Sequence, residues 1–215
     1  MRTGFLPLLL AILLLPGLHA QTPKAPDKKA IDPKKLDNIA KWSKANEAYK
    51  AGIEAFSKGK GDEAVAKFTE ALAAVEGFTD ARFARGRTYY EMKRAAPAVE
   101  DFTRVIAEKP ETADAYYFRG LALWNLNKRT EALADFDTAV KKMPRNFAFR
   151  EKRAILREQE KQFAAAREDL DVMVALDPLR PAVLEQRAKV HALMGEKELA
   201  EQDEQWAGQL RDAGL

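Results

Sequence analysis

Few residues of this chain have the type and spacing that catalysis or metal binding requires. The 215 residues include no cysteine and two histidines, His19 and His191. Thiolate nucleophiles, disulfides and multi-histidine metal sites are therefore not available. Adjacent carboxylates such as Glu168 and Asp169 are common in a chain that is 32% charged, and none stands out as an acid–base pair. Gly59-Lys60-Gly61 lacks the rest of a phosphate-binding loop. We therefore expect no enzyme activity, no cofactor and no metal.

The charge balance argues against a nucleic-acid partner. The chain has 36 basic and 33 acidic residues, a formal net charge of +3. That balance does not create the basic surface on which nucleic-acid binding depends. The 215 residues are enough for one medium domain or two small ones, and 47% of them are hydrophobic, as expected of a chain that folds.

Residues 1–20 have the pattern of a secretory signal peptide. Arg2 is followed by an apolar stretch from Phe5 to Leu15, and then by Pro16 and Gly17. We expect cleavage after Ala20 and export to a bacterial periplasm or to the medium. An uncleaved membrane anchor is the alternative, although a spanning helix needs about 17–25 apolar residues. After cleavage we expect no membrane-spanning helix.

Residues 21–32 are rich in lysine and proline, and they have no apolar periodicity. This composition predicts a disordered leader, either a solvated linker or a weak contact to an anionic surface. Asp32 and Pro33 then have the types preferred at a helix N-cap and first helical turn. The helix that they begin is expected to continue into the first repeat.

A period of 34 residues governs the remainder of the chain. An alanine recurs in unbroken phase as Ala64, Ala98, Ala132, Ala166 and Ala200. Twelve positions earlier the residues are Gly52, Gly86, Gly120, Ala154 and Ala188, and four positions later they are Phe68, Phe102, Phe136, Leu170 and Glu204. Pro110, Pro144 and Pro178 close three of the units. The pattern predicts helix–turn–helix units, in which small residues allow two helices to approach and proline ends the second helix.

These columns resemble the tetratricopeptide repeat. The resemblance covers residues 45–214 in five units, namely 45–78, 79–112, 113–146, 147–180 and 181–214. It implies an all-α fold, a right-handed superhelical solenoid. One departure is the column where the family has leucine, which here contains arginine in four units.

Those arginines suggest a structural role. Each of Arg85, Arg119, Arg153 and Arg187 is followed sixteen residues later by Asp101, Asp135, Asp169 or Asp203. The shared period predicts a ladder of ion pairs between helices, with Arg119 and Arg153 each bonded to one of these aspartates. A receptor for phosphate or carboxylate is the alternative.

The resemblance also implies which residues face the concave groove. In units one to three they form an aromatic and apolar set: Tyr49, Ile53, Phe56, Phe83, Arg87, Tyr90, Tyr117, Leu121 and Trp124. Units four and five have mostly acidic residues and a lysine there. The hypothesis is a non-catalytic adaptor or scaffold that binds a peptide or partner helix in this groove. Two alternatives remain, a structural or assembly component of the cell envelope and a glycan-binding or glycan-active protein.

The last unit has the features of a solvated cap. Glu204 replaces the Phe/Leu column, so we expect it to be exposed while Phe102 and Phe136 are buried. Trp206 and Leu210 are expected to pack back on the fourth unit.

Overall fold

The computed structural model describes residues 32–214, which form ten α-helices. The helices are α1 (Pro33–Ser57), α2 (Gly61–Ala74), α3 (Thr79–Glu91), α4 (Ala95–Glu108), α5 (Ala113–Asn125), α6 (Arg129–Lys142), α7 (Phe147–Gln159), α8 (Phe163–Leu176), α9 (Pro181–Met194) and α10 (Lys197–Asp212). The signal peptide predicted over residues 1–20 lies outside the described residues, as does the predicted leader up to residue 31. None of the ten helices has the length and apolarity needed to cross a bilayer.

Consecutive helices pack as pairs, and the pairs stack into an all-α solenoid. Each helix contacts the next one along the chain, and α3 also contacts α1 and α5. The helices α3, α5, α7 and α9 begin at 79, 113, 147 and 181, a spacing of 34 residues. Asp32 caps α1 by accepting a bond from the backbone N–H of Lys34 at 2.9 Å. α1 is the longest helix because it begins twelve residues before the first repeat.

Small residues set the distance between the two helices of a unit. A Cβ on Gly52 would lie 2.6 Å from the ring of Phe68, and a Cβ on Gly120 would lie 2.8 Å from that of Phe136. Glycine therefore occurs where the facing residue is a buried phenylalanine. The column changes to Ala154 in the unit where that residue is Leu170.

The turn inside each unit repeats one backbone conformation. The residue at this turn has a positive φ in all five units: Gly59, Lys93, Asn127, Lys161 and Gly195, with φ between 59° and 80°. The turn thus needs a residue in the left-handed conformation, which glycine adopts freely and lysine adopts at a cost in free energy.

The arginine–aspartate ladder is confirmed. In all four pairs Nε and one terminal nitrogen of the arginine donate to both carboxylate oxygens of the aspartate, at 2.5–2.8 Å. The remaining nitrogen donates to the residue sixteen positions earlier, in the preceding unit: Thr69, Thr103, Asp137 and Asp171. Hydrogen bonding to Asp135 raises the pKa of the Arg119 guanidinium. These donors are satisfied within the protein, which favours a structural role over a phosphate receptor.

The C-terminal cap is confirmed in two parts and corrected in a third. Glu204 is exposed, whereas Phe102 and Phe136 are fully buried. Leu210 packs into the core of units four and five. Trp206, however, remains 37% exposed. It follows Leu199, also exposed, by seven residues, which places both on one face of α10.

Candidate functional site

A mainly apolar opening lies between the first helices of units one to three. It is a cavity of about 380 Å³, open to solvent. Its lining residues are Tyr49, Ile53, Phe56, Phe68, Thr79, Asp80, Phe83, Ala84, Arg87, Val105, Lys109, Thr112 and Asp114. Helices α1 and α3 contribute most of the wall, while α2 and α4 supply one residue each.

Helical spacing places one side of the cavity on α1. Tyr49, Ile53 and Phe56 are four and three residues apart, so they share one face of this helix. Ile53 is 43% exposed, although it lines an apolar cavity. A ligand that covers this side chain removes its apolar surface from water, which contributes favourably to the free energy of binding.

Packed aromatic rings form the floor of the cavity. The Tyr49 ring lies 5.8 Å from that of Phe68, and the Phe83 ring lies 5.5 Å from that of Phe102. Phe68 and Phe102 are fully buried residues of the second helices. The partly buried rings of the groove are therefore held by the core of units one and two, a rigid arrangement that lowers the entropy lost on binding.

The structure divides the nine predicted groove residues into two sets. Five line the cavity: Tyr49, Ile53, Phe56, Phe83 and Arg87. The other four, Tyr90, Tyr117, Leu121 and Trp124, pack in the apolar cluster around Phe136.

Tyr117 and Leu121 of unit three show what this packing does. The Tyr117 ring stacks on that of Phe149 at 4.6 Å, and burial raises the pKa of the Tyr117 hydroxyl to about 12. Leu121 is only 8% exposed. The aromatic surface of unit three therefore joins it to unit four, and the open groove is confined to the first two units and the start of the third.

Two features of the site were missed in the sequence. Phe118 lies outside the columns assigned to the groove, yet its ring is within about 6 Å of those of Phe83, Tyr90, Phe102 and Tyr117. Asp80 and Asp114 line the cavity one period apart, and that recurrence was the signal that could have identified them.

Charged residues surround the apolar cavity. The Arg87 guanidinium lies over the rings of Phe56 at 5.3 Å and Phe118 at 5.8 Å, in the geometry of cation–π contacts. Asp80 forms an ion pair with Lys109 at 3.1 Å. Burial and, second, the charge of Asp80 raise the pKa of the Tyr49 hydroxyl.

The equivalent surface of units four and five is polar and paired within itself. Lys189 Nζ lies 2.5 Å from Glu158 Oε1, and Glu185 forms an ion pair with Arg211. Because these charges already have partners, this half of the solenoid offers little to an apolar ligand.

His191 is buried rather than available for chemistry. Its Nδ1 lies 2.6 Å from Glu196 Oε2, in the turn before α10, and this hydrogen bond lowers the pKa of the Glu196 carboxyl. Across residues 32–214, no three histidine, aspartate or glutamate side chains converge as a metal site would require.

Comparison with known proteins agrees with this architecture. A family model described as tetratricopeptide repeat matches residues 49–110, 83–128 and 119–181. No curated protein matches the chain.

Several solved structures have the same fold at low sequence identity. A crystal structure of MamA is 16% identical, with a TM-score of 0.72, and the alignment covers 76% of this chain and 95% of MamA. MamA from Desulfovibrio magneticus RS-1 is also 16% identical, with a TM-score of 0.73 and coverage of 79% and 96%. YrrB, described as a protein of this repeat class with an unusual peptide-binding site, is 17% identical, with a TM-score of 0.70 and coverage of 83% and 91%.

Proposed function

The chain belongs to the tetratricopeptide repeat family, and we propose that it is a non-catalytic adaptor that binds a peptide or partner helix in its N-terminal groove. The concave face of such solenoids is an extended surface suited to binding. In this chain the apolar part of that face is the cavity bounded by α1 and α3.

One observation carries the proposal, the exposure of Ile53 beside ordered aromatic rings. Tyr49, Phe56 and Phe83 present partly buried rings around it, and their own packing on the core keeps them in place. Apolar anchors in a preorganised pocket are the usual source of binding energy at peptide interfaces.

A peptide selection tests the proposal. A library of random peptides displayed on phage is panned against the protein, and enriched peptides are synthesised and titrated by fluorescence anisotropy. Ile53→Asp should reduce their affinity by about tenfold or more, because it places a charge in the apolar pocket. Leu126→Asp is the matched control, since Leu126 is comparably exposed (41%) but lies in the turn after α5. An equal loss of peptide affinity in both variants, or a selection that enriches no peptide, would contradict groove binding.

A second role, attachment to a cell-envelope surface, is favoured by the extension of α1. Leu36, Ile39 and Trp42 are exposed there within seven residues, and Lys34, Lys35, Lys41 and Lys44 surround them. Exposed apolar side chains flanked by lysines are suited to contact with an anionic surface. This role predicts that Ile39→Ser reduces association with envelope fractions while leaving peptide binding unchanged.

We also propose export, on the pattern of residues 1–20 alone. Intact-mass measurement of the protein isolated from its host should show a chain that begins at Gln21. A mass that retains Arg2 would favour a membrane anchor instead.

A further inference from the structure

The Arg87 side chain at the cavity has no carboxylate partner among the described residues, whereas the same position of a later unit has one. Lys189 lies three periods after Arg87, and its Nζ is 2.5 Å from Glu158. The residue three periods before Glu158 is Phe56, over whose ring the Arg87 guanidinium lies. Arg87 is thus held by aromatic rings while its charge stays uncompensated within residues 32–214.

The carboxylate of Asp114 is unpaired for a related reason. Asp80, one period earlier, pairs with Lys109, which lies 29 residues later in the chain. The residue 29 positions after Asp114 is Met143, which carries no charge. No lysine or arginine of the described chain lies within ion-pair distance of Asp114, although this aspartate lines the same cavity as Arg87.

The two unpaired charges lie at opposite sides of the apolar cavity. Asp80 and Arg87 are seven residues apart on α3, hence on the same face and about 10 Å apart along the axis. Asp114 occupies on α5 the position that Asp80 occupies on α3. Phe83 lies between Asp80 and Arg87 along α3. The groove therefore has Asp114 at one end, aromatic rings in the middle and Arg87 at the other end.

We propose that this groove binds a peptide segment with an apolar side chain between an acidic and a basic residue. The acidic residue of the ligand pairs with Arg87 and the basic residue with Asp114. The inference rests on the proposed groove binding and adds the ligand's charge order. An extended chain advances about 3.3 Å per residue, so the two charged residues are about three to five residues apart.

Complementary charge gives the groove a means to fix the register of its ligand. An apolar pocket alone would accept a hydrophobic side chain in several registers and from either chain direction. A carboxylate bonded to the stacked guanidinium of Arg87 makes a charge-assisted bond beside the rings of Phe56 and Phe118. The ligand's base then sets the chain direction by pairing with Asp114.

The phage selection is repeated with charge variants to test this order. The proteins are the full-length chain, the charge-swapped variant Arg87→Glu with Asp114→Lys, and a control with Arg104→Glu and Glu100→Lys. Arg104 and Glu100 are exposed on α4, away from the cavity, and undergo the same charge changes. Circular dichroism melting shows whether each variant keeps the fold.

The wild type and the control should enrich peptides with an acid and a base three to five residues apart, and the swapped variant should enrich the reversed order. Arg87→Gln should weaken the wild-type peptides about tenfold, and neutralising the peptide's acid should remove that difference. Enrichment of purely apolar or purely acidic peptides would contradict this inference but leave groove binding intact. Self-association of the wild type that is abolished by Arg87→Gln would also contradict this inference, because a second copy of the chain would then occupy the groove. A failure to enrich any peptide would contradict the proposed function itself.

Discussion

Removing one carboxylate of the ladder should destabilise the solenoid more than removing an exposed ion pair. Asp135 is 5% exposed and accepts both bonds from Arg119, whose third nitrogen donates to Thr103. Breaking a buried pair costs about 3–5 kcal/mol and an exposed one about 0–1 kcal/mol. The Arg119 side chain keeps 21% exposure and can turn toward water, so we expect Asp135→Ala to cost about 2–3 kcal/mol.

Urea unfolding followed by far-UV circular dichroism measures this change. Lys67→Ala is the control, because Lys67 and Glu70 form an ion pair of which both side chains are more than 40% exposed. It should cost less than about 1 kcal/mol. The double variant Arg119→Met with Asp135→Leu should recover most of the loss, since neither charge then remains unpaired. If Asp135→Ala behaves like Lys67→Ala, the ladder does not stabilise the fold as argued.

Three further substitutions test the packing, the turns and the cap. Gly52→Ala should destabilise the protein by about 1–3 kcal/mol, because its Cβ would lie 2.6 Å from Phe68, whereas Gly77→Ala, with open space at that position, should not. Lys161→Gly should raise the free energy of unfolding by about 1 kcal/mol, since it relieves a left-handed lysine at φ 59°; an unchanged value would show that the turn carries no strain. Glu204→Phe should leave the melting temperature near that of the wild type but cause self-association in sedimentation velocity, and a variant that unfolds as a monomer would refute the cap.

The fold and the ladder could be predicted from the sequence because both depend on the period. Residues 34 positions apart occupy equivalent places, so a recurring arginine and a recurring aspartate must meet in every unit or in none. Arg119 and Asp135 show this, and the bond from Arg119 to Thr103 adds a contact to the preceding unit that the pairing did not predict.

The extent of the groove could not be predicted, because it depends on side-chain packing between units. Aromatic residues at equivalent positions of two units have different surroundings: Phe83 lines the cavity, while Tyr117, one period later, stacks on Phe149. Phe118 packs against the clusters of both units, and its position lies outside the repeating columns that predict the groove. Trp206 was expected to pack back on the fourth unit, but it is 37% exposed, and its seven-residue spacing from Leu199 places both on one exposed face of α10.

Hydrogen–deuterium exchange on the protein with and without a selected peptide tests the adaptor role most directly. If the N-terminal groove is the binding site, amides of α1 and α3 should gain protection, while those of α7–α10 should exchange as before. The Ile53→Asp variant should show much less protection at a peptide concentration near the wild-type Kd. Protection centred on units four and five, or on the outer faces of the second helices, would contradict the account.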